Sequence, residues 1–210
     1  MPILDSFMSF MERGGFVLWP LLLLSVLTIS IVIERAIFWW KLDSRRGRSR
    51  YEKLVEAARA GDTTRLATLA EADDSPYAVL VRPLATGSAP PDEASAAIAA
   101  EEVRPNLERG SILLATIVTA APMLGILGTV VGIIQSFELL GGDATITDPN
   151  QVSGGIAEAL ISTACGLVVA LTALFPLMLL RARQDRALGR LEALAGSVVA
   201  AARTHGYDTD

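Results

Sequence analysis

Three long apolar runs stand out along the chain, set in sequence that is otherwise polar and periodic. The first occupies residues 16–33 and carries no charge. As a helix rising ~1.5 Å per residue it is about 27 Å long, and with residues 36–40 added it reaches the ~30 Å hydrocarbon core of a bilayer. The second covers 111–137, again without a charge, and the third covers 154–180 with one carboxylate, Glu158. This pattern predicts an all-α integral membrane protein. Transmembrane helices are expected at 16–40, 111–138 and 152–180. The segment before the first run is not basic, and Glu34-Arg35 followed by two tryptophans offers no small-residue cleavage site, so the run is expected to remain as an anchor. Trp39 and Trp40 are expected in an interfacial belt, with Glu34 and Arg35 snorkelling or pairing beside them.

Between the first two runs the pattern becomes polar and helical. Leu54, Ala57 and Ala58, then Leu66, Leu69 and Ala70, recur at helical spacing on either side of Gly61-Asp62, where Asp62 is a good N-cap. Ser75-Pro76 opens a further helix. Residues 87–91 break it, and Asp92 or Ser95 begins another, which Pro105 should kink or restart. No strand pattern appears. Residues 41–110 therefore read as a helical domain too small to be stable without neighbours. After the third run Leu188, Leu191, Leu194 and Val198 keep helical spacing, so that helix should continue into the polar tail at 181–210 and pack against this domain.

Charge turns the three spans into a topology. Lys41, Arg45, Arg46, Arg48 and Arg50 follow the first span, and Arg181, Arg183, Arg186 and Arg190 follow the third. The turn at 139–151 holds Asp143 and Asp148 and no basic residue. The positive-inside rule then puts 41–110 and 181–210 in the cytoplasm, and puts 1–15 and the turn outside. Composition agrees with a membrane protein: 51% of the 210 residues are hydrophobic and only 20% charged, with a mean hydropathy of +0.44. The basic residues are not interleaved with aromatics over a surface, which argues against nucleic acid as a partner. A lone cysteine, Cys165, excludes an internal disulfide and a cysteine-based zinc site. A lone histidine, His205, leaves histidine chemistry without a second member. No metal, cofactor or enzymatic constellation is expected.

The candidate chemistry lies within the spans. A carboxylate in a spanning helix costs at least ~2.5 kcal/mol unless something compensates. On a helical wheel Glu158, Ser162, Cys165, Val169 and Thr172 fall near one face, and Thr163 lies ~140° from Glu158. Thr163 joins a small-residue ladder of Gly155 and Ala159, beside a second ladder of Ser162, Gly166 and Ala170. In the second span Gly128 and Gly132 form a GxxxG pair extended by Gly125. Such surfaces let helices approach closely in lipid. The short turn makes the two spans antiparallel, so Thr129 becomes a neighbour for the third span. A carboxylate and hydroxyls among apolar side chains can exchange protons with confined water and form an ion pathway. Two other readings of Glu158 stay open: interhelical hydrogen bonding, and snorkelling to the outer interface. For Thr129 and Thr163, bonding back to their own helix carbonyls is the competing reading.

Four stretches resemble one known family: LERG at 107–110, APMLGILGTVVGI at 121–133, GIAEAL at 155–160 and TACGL at 163–167, with Glu34-Arg35 also in place. The chain is similar to the MotA/TolQ/ExbB proton channel family over essentially its whole length, within the ExbB/TolQ branch. The flagellar-stator branch fits less well, having four spans and a larger cytoplasmic domain. The resemblance implies a bacterial inner-membrane protein that forms a homo-oligomeric ring, a pentamer, around the spanning helices of a small ExbD/TolR-type partner with one span. Proton flow at that interface would energise a TonB- or TolA-like protein for transport or envelope maintenance. It carries the family's functional positions onto Thr129, Glu158 and Thr163, and assigns the proton-accepting aspartate to the partner. The alternative is a non-conducting scaffold that assembles and stabilises a membrane complex.

Overall fold

The computed structural model describes residues 15–87, 89–141 and 149–206. Of the outer segment expected at 1–15 only Gly15 is described, and Asp143 and Asp148 of the acidic turn lie outside the described residues. Among those residues all regular structure is helical. The helices are α1 (Leu18–Leu42), α2 (Arg45–Arg59), α3 (Thr63–Glu71), α4 (Pro76–Thr86), α5 (Glu93–Glu108), α6 (Ser111–Gly141) and α7 (Pro149–Gly206). Three of them, α1, α6 and α7, are long and apolar enough to cross a membrane. The third span and the polar tail form one element. α7 has 58 residues and runs through Pro176 without a break, giving about 87 Å at ~1.5 Å per residue.

The described residues form two compact units, 15–33 with 110–141 and 149–178, and 34–87 and 89–109 with 179–206. In the first, α6 and α7 pack antiparallel along their small residues. The buried positions there include Leu114, Ile117, Ala121, Ala159, Ala173 and Leu177, whereas Ile126, Ile133, Leu160, Val168 and Phe175 face outward. An outward face this apolar suits lipid or further protein and does not suit water.

The second unit is built on capped helices. Ser44, Asp62, Ser75 and Asp92 each accept a hydrogen bond from a first-turn amide of α2, α3, α4 and α5. Asp92 and Ser95, alternative starts in the sequence, belong to one capping box: Ser95 N donates to Asp92 Oδ1 at 2.7 Å, and Asp92 N donates to Ser95 Oγ at 2.9 Å. α3 packs on α2 and α4, and α4 on α5. The tail of α7 completes this core with Leu191 and Leu194, both fully buried, and the Tyr51 hydroxyl donates to the Arg190 carbonyl at 3.3 Å.

Two expectations change here. Pro105 does not restart a helix, because α5 is continuous from Glu93 to Glu108. A proline inside a helix forfeits one backbone bond; here Val103 and Leu107, buried on either side of it, hold the element by packing. Trp39 does not face outward as a belt residue would. It is 1% exposed, in edge contact with Phe38, and Trp40 alone faces outward at 75%. Arg35 is buried as well, paired with Glu34 at 2.6 Å.

Candidate functional site

The close contact of α6 with α7 follows from which residues lack side chains. A methyl group added to Gly125 would sit 2.9 Å from Thr163 Cα and 3.0 Å from the Ser162 carbonyl oxygen. One on Gly132 would sit 2.8 Å from Ala159 Cβ, and one on Gly166 would sit 2.5 Å from the Ala121 carbonyl. Gly128 faces the Ser162 hydroxyl, and a methyl on Gly155 would lie 2.5 Å from Ser136 Oγ. Glycine therefore meets backbone or a small side chain at each step of the helix pair. This geometry maximises van der Waals contact where no hydrophobic effect operates between helices.

That approach brings two threonines together. Thr129 Oγ1 and Thr163 Oγ1 are 3.0 Å apart, both half-buried. Thr163 donates to the Gly125 carbonyl at 2.8 Å. Thr129 has the Ile126 carbonyl at 2.8 Å and the Gly125 carbonyl at 3.3 Å as further acceptors. Each hydroxyl has a single proton. Either threonine can donate the bond between them, and the one that does gives up its own backbone acceptor, Ile126 for Thr129 or Gly125 for Thr163. A proton moving along this pair would end at a backbone carbonyl, which cannot pass it on. The hydroxyls can therefore orient water or a partner group, and they relay a proton only if they rotate away from the backbone.

Glu158 is placed differently. Its side chain is half-buried, and its carboxylate lies against Gly15 at the entry to α1, where a methyl group would collide with Oε1. Gly15 has φ +69°, a conformation that glycine adopts without strain. Five residues, ~7.5 Å of helix rise, separate Glu158 from Thr163. The structure thus joins Thr129 to Thr163 and sets Glu158 one layer away, beside the start of α1. Ser162, 1% exposed, donates to the Ala159 carbonyl at 2.8 Å and is absorbed into the helix contact. Thr172 likewise bonds its own helix, at the Val169 carbonyl. Gly15 was not singled out from sequence; the glycine doublet at 14–15 just before an apolar run was the available signal.

Residues 78–193, a stretch containing Thr129, Glu158 and Thr163, match the profile of the MotA/TolQ/ExbB proton channel family. The chain is 37% identical over 165 residues to the ExbB-like 3 protein of Synechocystis sp., covering 77% of this chain and 78% of that protein. It is 30% identical over 195 residues to the biopolymer transport protein exbB1 of Vibrio cholerae, covering 90% and 85%. Over a shorter stretch of 96 residues it is 41% identical to the Tol-Pal system protein TolQ of Pseudomonas aeruginosa.

Proposed function

The chain belongs to the MotA/TolQ/ExbB proton channel family, on its ExbB/TolQ branch, and from that membership we propose that it is the proton-conducting motor subunit of an inner-membrane complex. Five copies surround the spanning helices of an ExbD/TolR-type partner, and proton flow between ring and partner drives a TonB- or TolA-like transducer. Each charge crossing ~100 mV releases ~2.3 kcal/mol, so a few crossings suffice to bias a conformational step.

The observation that carries this reading is the hydroxyl pair of Thr129 and Thr163, 3.0 Å apart between two apolar spans. It supplies a polar point in a low-dielectric wall without introducing a fixed charge. In the proposed mechanism the threonines orient water for a carboxyl group that the partner contributes. Glu158, half-buried nearer the end of the span, keeps the entrance to that path hydrated. The test is partner-dependent proton uptake into liposomes. Glu158→Ala is expected to reduce uptake, and unchanged uptake rules out its role.

The scaffold reading has its own support, because the Thr163 proton already goes to the Gly125 carbonyl and the glycines are filled by neighbours. On that reading Glu158→Ala dissociates the oligomer on native gels and causes no conduction loss beyond what dissociation explains.

A further inference from the structure

Where α1 ends and α2 begins, the chain leaves the apolar span carrying excess positive charge. Lys41, Arg45, Arg46, Arg48 and Arg50 are all exposed. α2 therefore opens with Arg45, Arg46 and Arg48 in its first turn and with no acidic residue there. That sign is wrong for a helix N-terminus, whose free amides and dipole favour anions. The Ser44 side chain answers only the Gly47 amide, at 3.2 Å. The turn is nevertheless held tightly, since a methyl group on Gly47 would collide with the Leu42 carbonyl. The backbone of this turn is thus fixed, and exposed basic side chains surround an electropositive helix start.

Beside this turn lies an open cleft of about 700 Å³, whose lining includes Trp40, Lys41, Arg46, Arg50, Asp73 and Asp74. Its two acids are already engaged. Asp73, buried, accepts from Arg50 Nη1 at 2.8 Å and from Ser75 Oγ at 2.7 Å, and Asp74 lies 3.7 Å from Arg82. Lys41 and Arg46 make no ion pair among the described residues. The cleft therefore presents two uncompensated cations next to a tryptophan that is 75% exposed, at the end of a membrane span. Tryptophan favours the headgroup level, and basic residues next to a span attract anionic lipid.

We propose that this cleft binds the phosphate headgroup of an anionic glycerophospholipid. Lys41 and Arg46 hold the phosphodiester, the first turn of α2 receives its negative charge, and Trp40 packs against the glycerol region. A phosphate there neutralises Lys41 and Arg46, the cleft cations that lack an ion pair among the described residues, so lipid binding and local stability are linked.

The test titrates the purified full chain in neutral detergent with dioleoylphosphatidylglycerol, dioleoylphosphatidylcholine or soluble glycerol phosphate, with bound lipid counted by native mass spectrometry. Phosphatidylglycerol is expected to bind at least tenfold more tightly than phosphatidylcholine. The pair Lys41→Gln with Arg46→Gln should lose more than tenfold of that affinity, since each basic residue near a surface contributes about 1 kcal/mol, about fivefold. The pair Arg45→Gln with Arg48→Gln removes the same charge outside the cleft lining and should lose less than threefold. Arg46→Lys, which keeps the charge, should retain binding within threefold and guards against a merely misfolded variant. Equal losses in the two double variants, no preference for phosphatidylglycerol, or equally tight binding of soluble glycerol phosphate would overturn the proposal.

Discussion

Gly125 sets a backbone constraint on the helix pair. Its neighbours are backbone atoms of α7, with Thr163 Cα and the Ser162 carbonyl within about 3 Å of any added methyl group, and backbone cannot rotate away as a side chain can. Gly125→Ala is therefore expected to destabilise the protein by about 1–3 kcal/mol, read as a lower denaturant midpoint in mixed micelles. Gly154→Ala, with nothing within 4 Å of the new methyl group, should leave the midpoint unchanged or raise it. Thr163→Val keeps the shape but removes the donor to the Gly125 carbonyl, at an expected cost of about 1 kcal/mol. If Thr163→Val lowers proton uptake far more than Gly125→Ala does while costing less stability, the hydroxyl acts in conduction as well as in packing. The neighbourhood of Thr129 and Thr163 was legible in the sequence, because a short turn makes two spans antiparallel and two small-residue ladders say which faces meet. The contact of Glu158 with Gly15 was not. It depends on where the chain enters α1, and periodicity within α7 carries no information about a residue so distant in sequence.

At the level of elements, the sequence reveals helix starts better than helix ends. Asp62, Ser75 and Asp92 announce themselves because an N-cap is a local bargain between a side chain and an amide two or three residues on. The end of α5 is satisfied from elsewhere. Arg35 Nη1 of α1 donates to the Asn106 carbonyl at 3.0 Å, and Gln184 Nε2 of α7 donates to the Leu107 carbonyl at 2.9 Å. These last-turn carbonyls have no partner in their own helix, and no local pattern says that residues far along the chain will supply one. Gln184→Leu leaves the buried Leu107 carbonyl without that donor. It should cost about 1–3 kcal/mol and speed amide exchange around residues 107–110, measured by hydrogen–deuterium exchange.

Tyr77 of α4 gives a pH dependence for the same unit. Burial pushes its phenol above the usual tyrosine range, with Arg190 pulling partly back, and no well-aligned hydrogen bond reaches its oxygen. A folded value raised above the unfolded value near 10.0 makes a contribution that is complete below pH 10 and is lost as pH rises through the folded value. Tyr77→Phe should therefore match or exceed the natural chain in stability at pH 7. Its advantage should widen above pH 10 in denaturant titrations, and a constant difference from pH 8 to 11 would count against the burial argument.

For the whole molecule, three helices long and apolar enough to cross a membrane predict that residues before the first and after the third lie on opposite sides, with charge selecting the side each occupies. Basic residues crowd the polar end of α1 and the residues after the third span, while the turn between α6 and α7 has aspartates alone. Each misplaced arginine would have to cross the bilayer during insertion, so the five basic residues at 41–50 and the four at 181–190 act in the same direction. The expected orientation has the N-terminus and the 139–151 turn periplasmic and both basic flanks cytoplasmic. Single-cysteine variants read this directly once Cys165 is replaced by serine. Ser6→Cys and Thr147→Cys should react with a membrane-impermeant maleimide in intact spheroplasts, whereas Ser49→Cys and Ser197→Cys should react only after permeabilisation. Labelling in the reverse order would invert the topology and place the basic cleft at the end of α1 against the outer leaflet. Charge neutralisation supplies the causal check. Replacing Lys41, Arg45, Arg46, Arg48 and Arg50 with glutamine should yield a mixed population of orientations if these residues set the topology, and an unchanged labelling pattern if the arginines after the third span suffice.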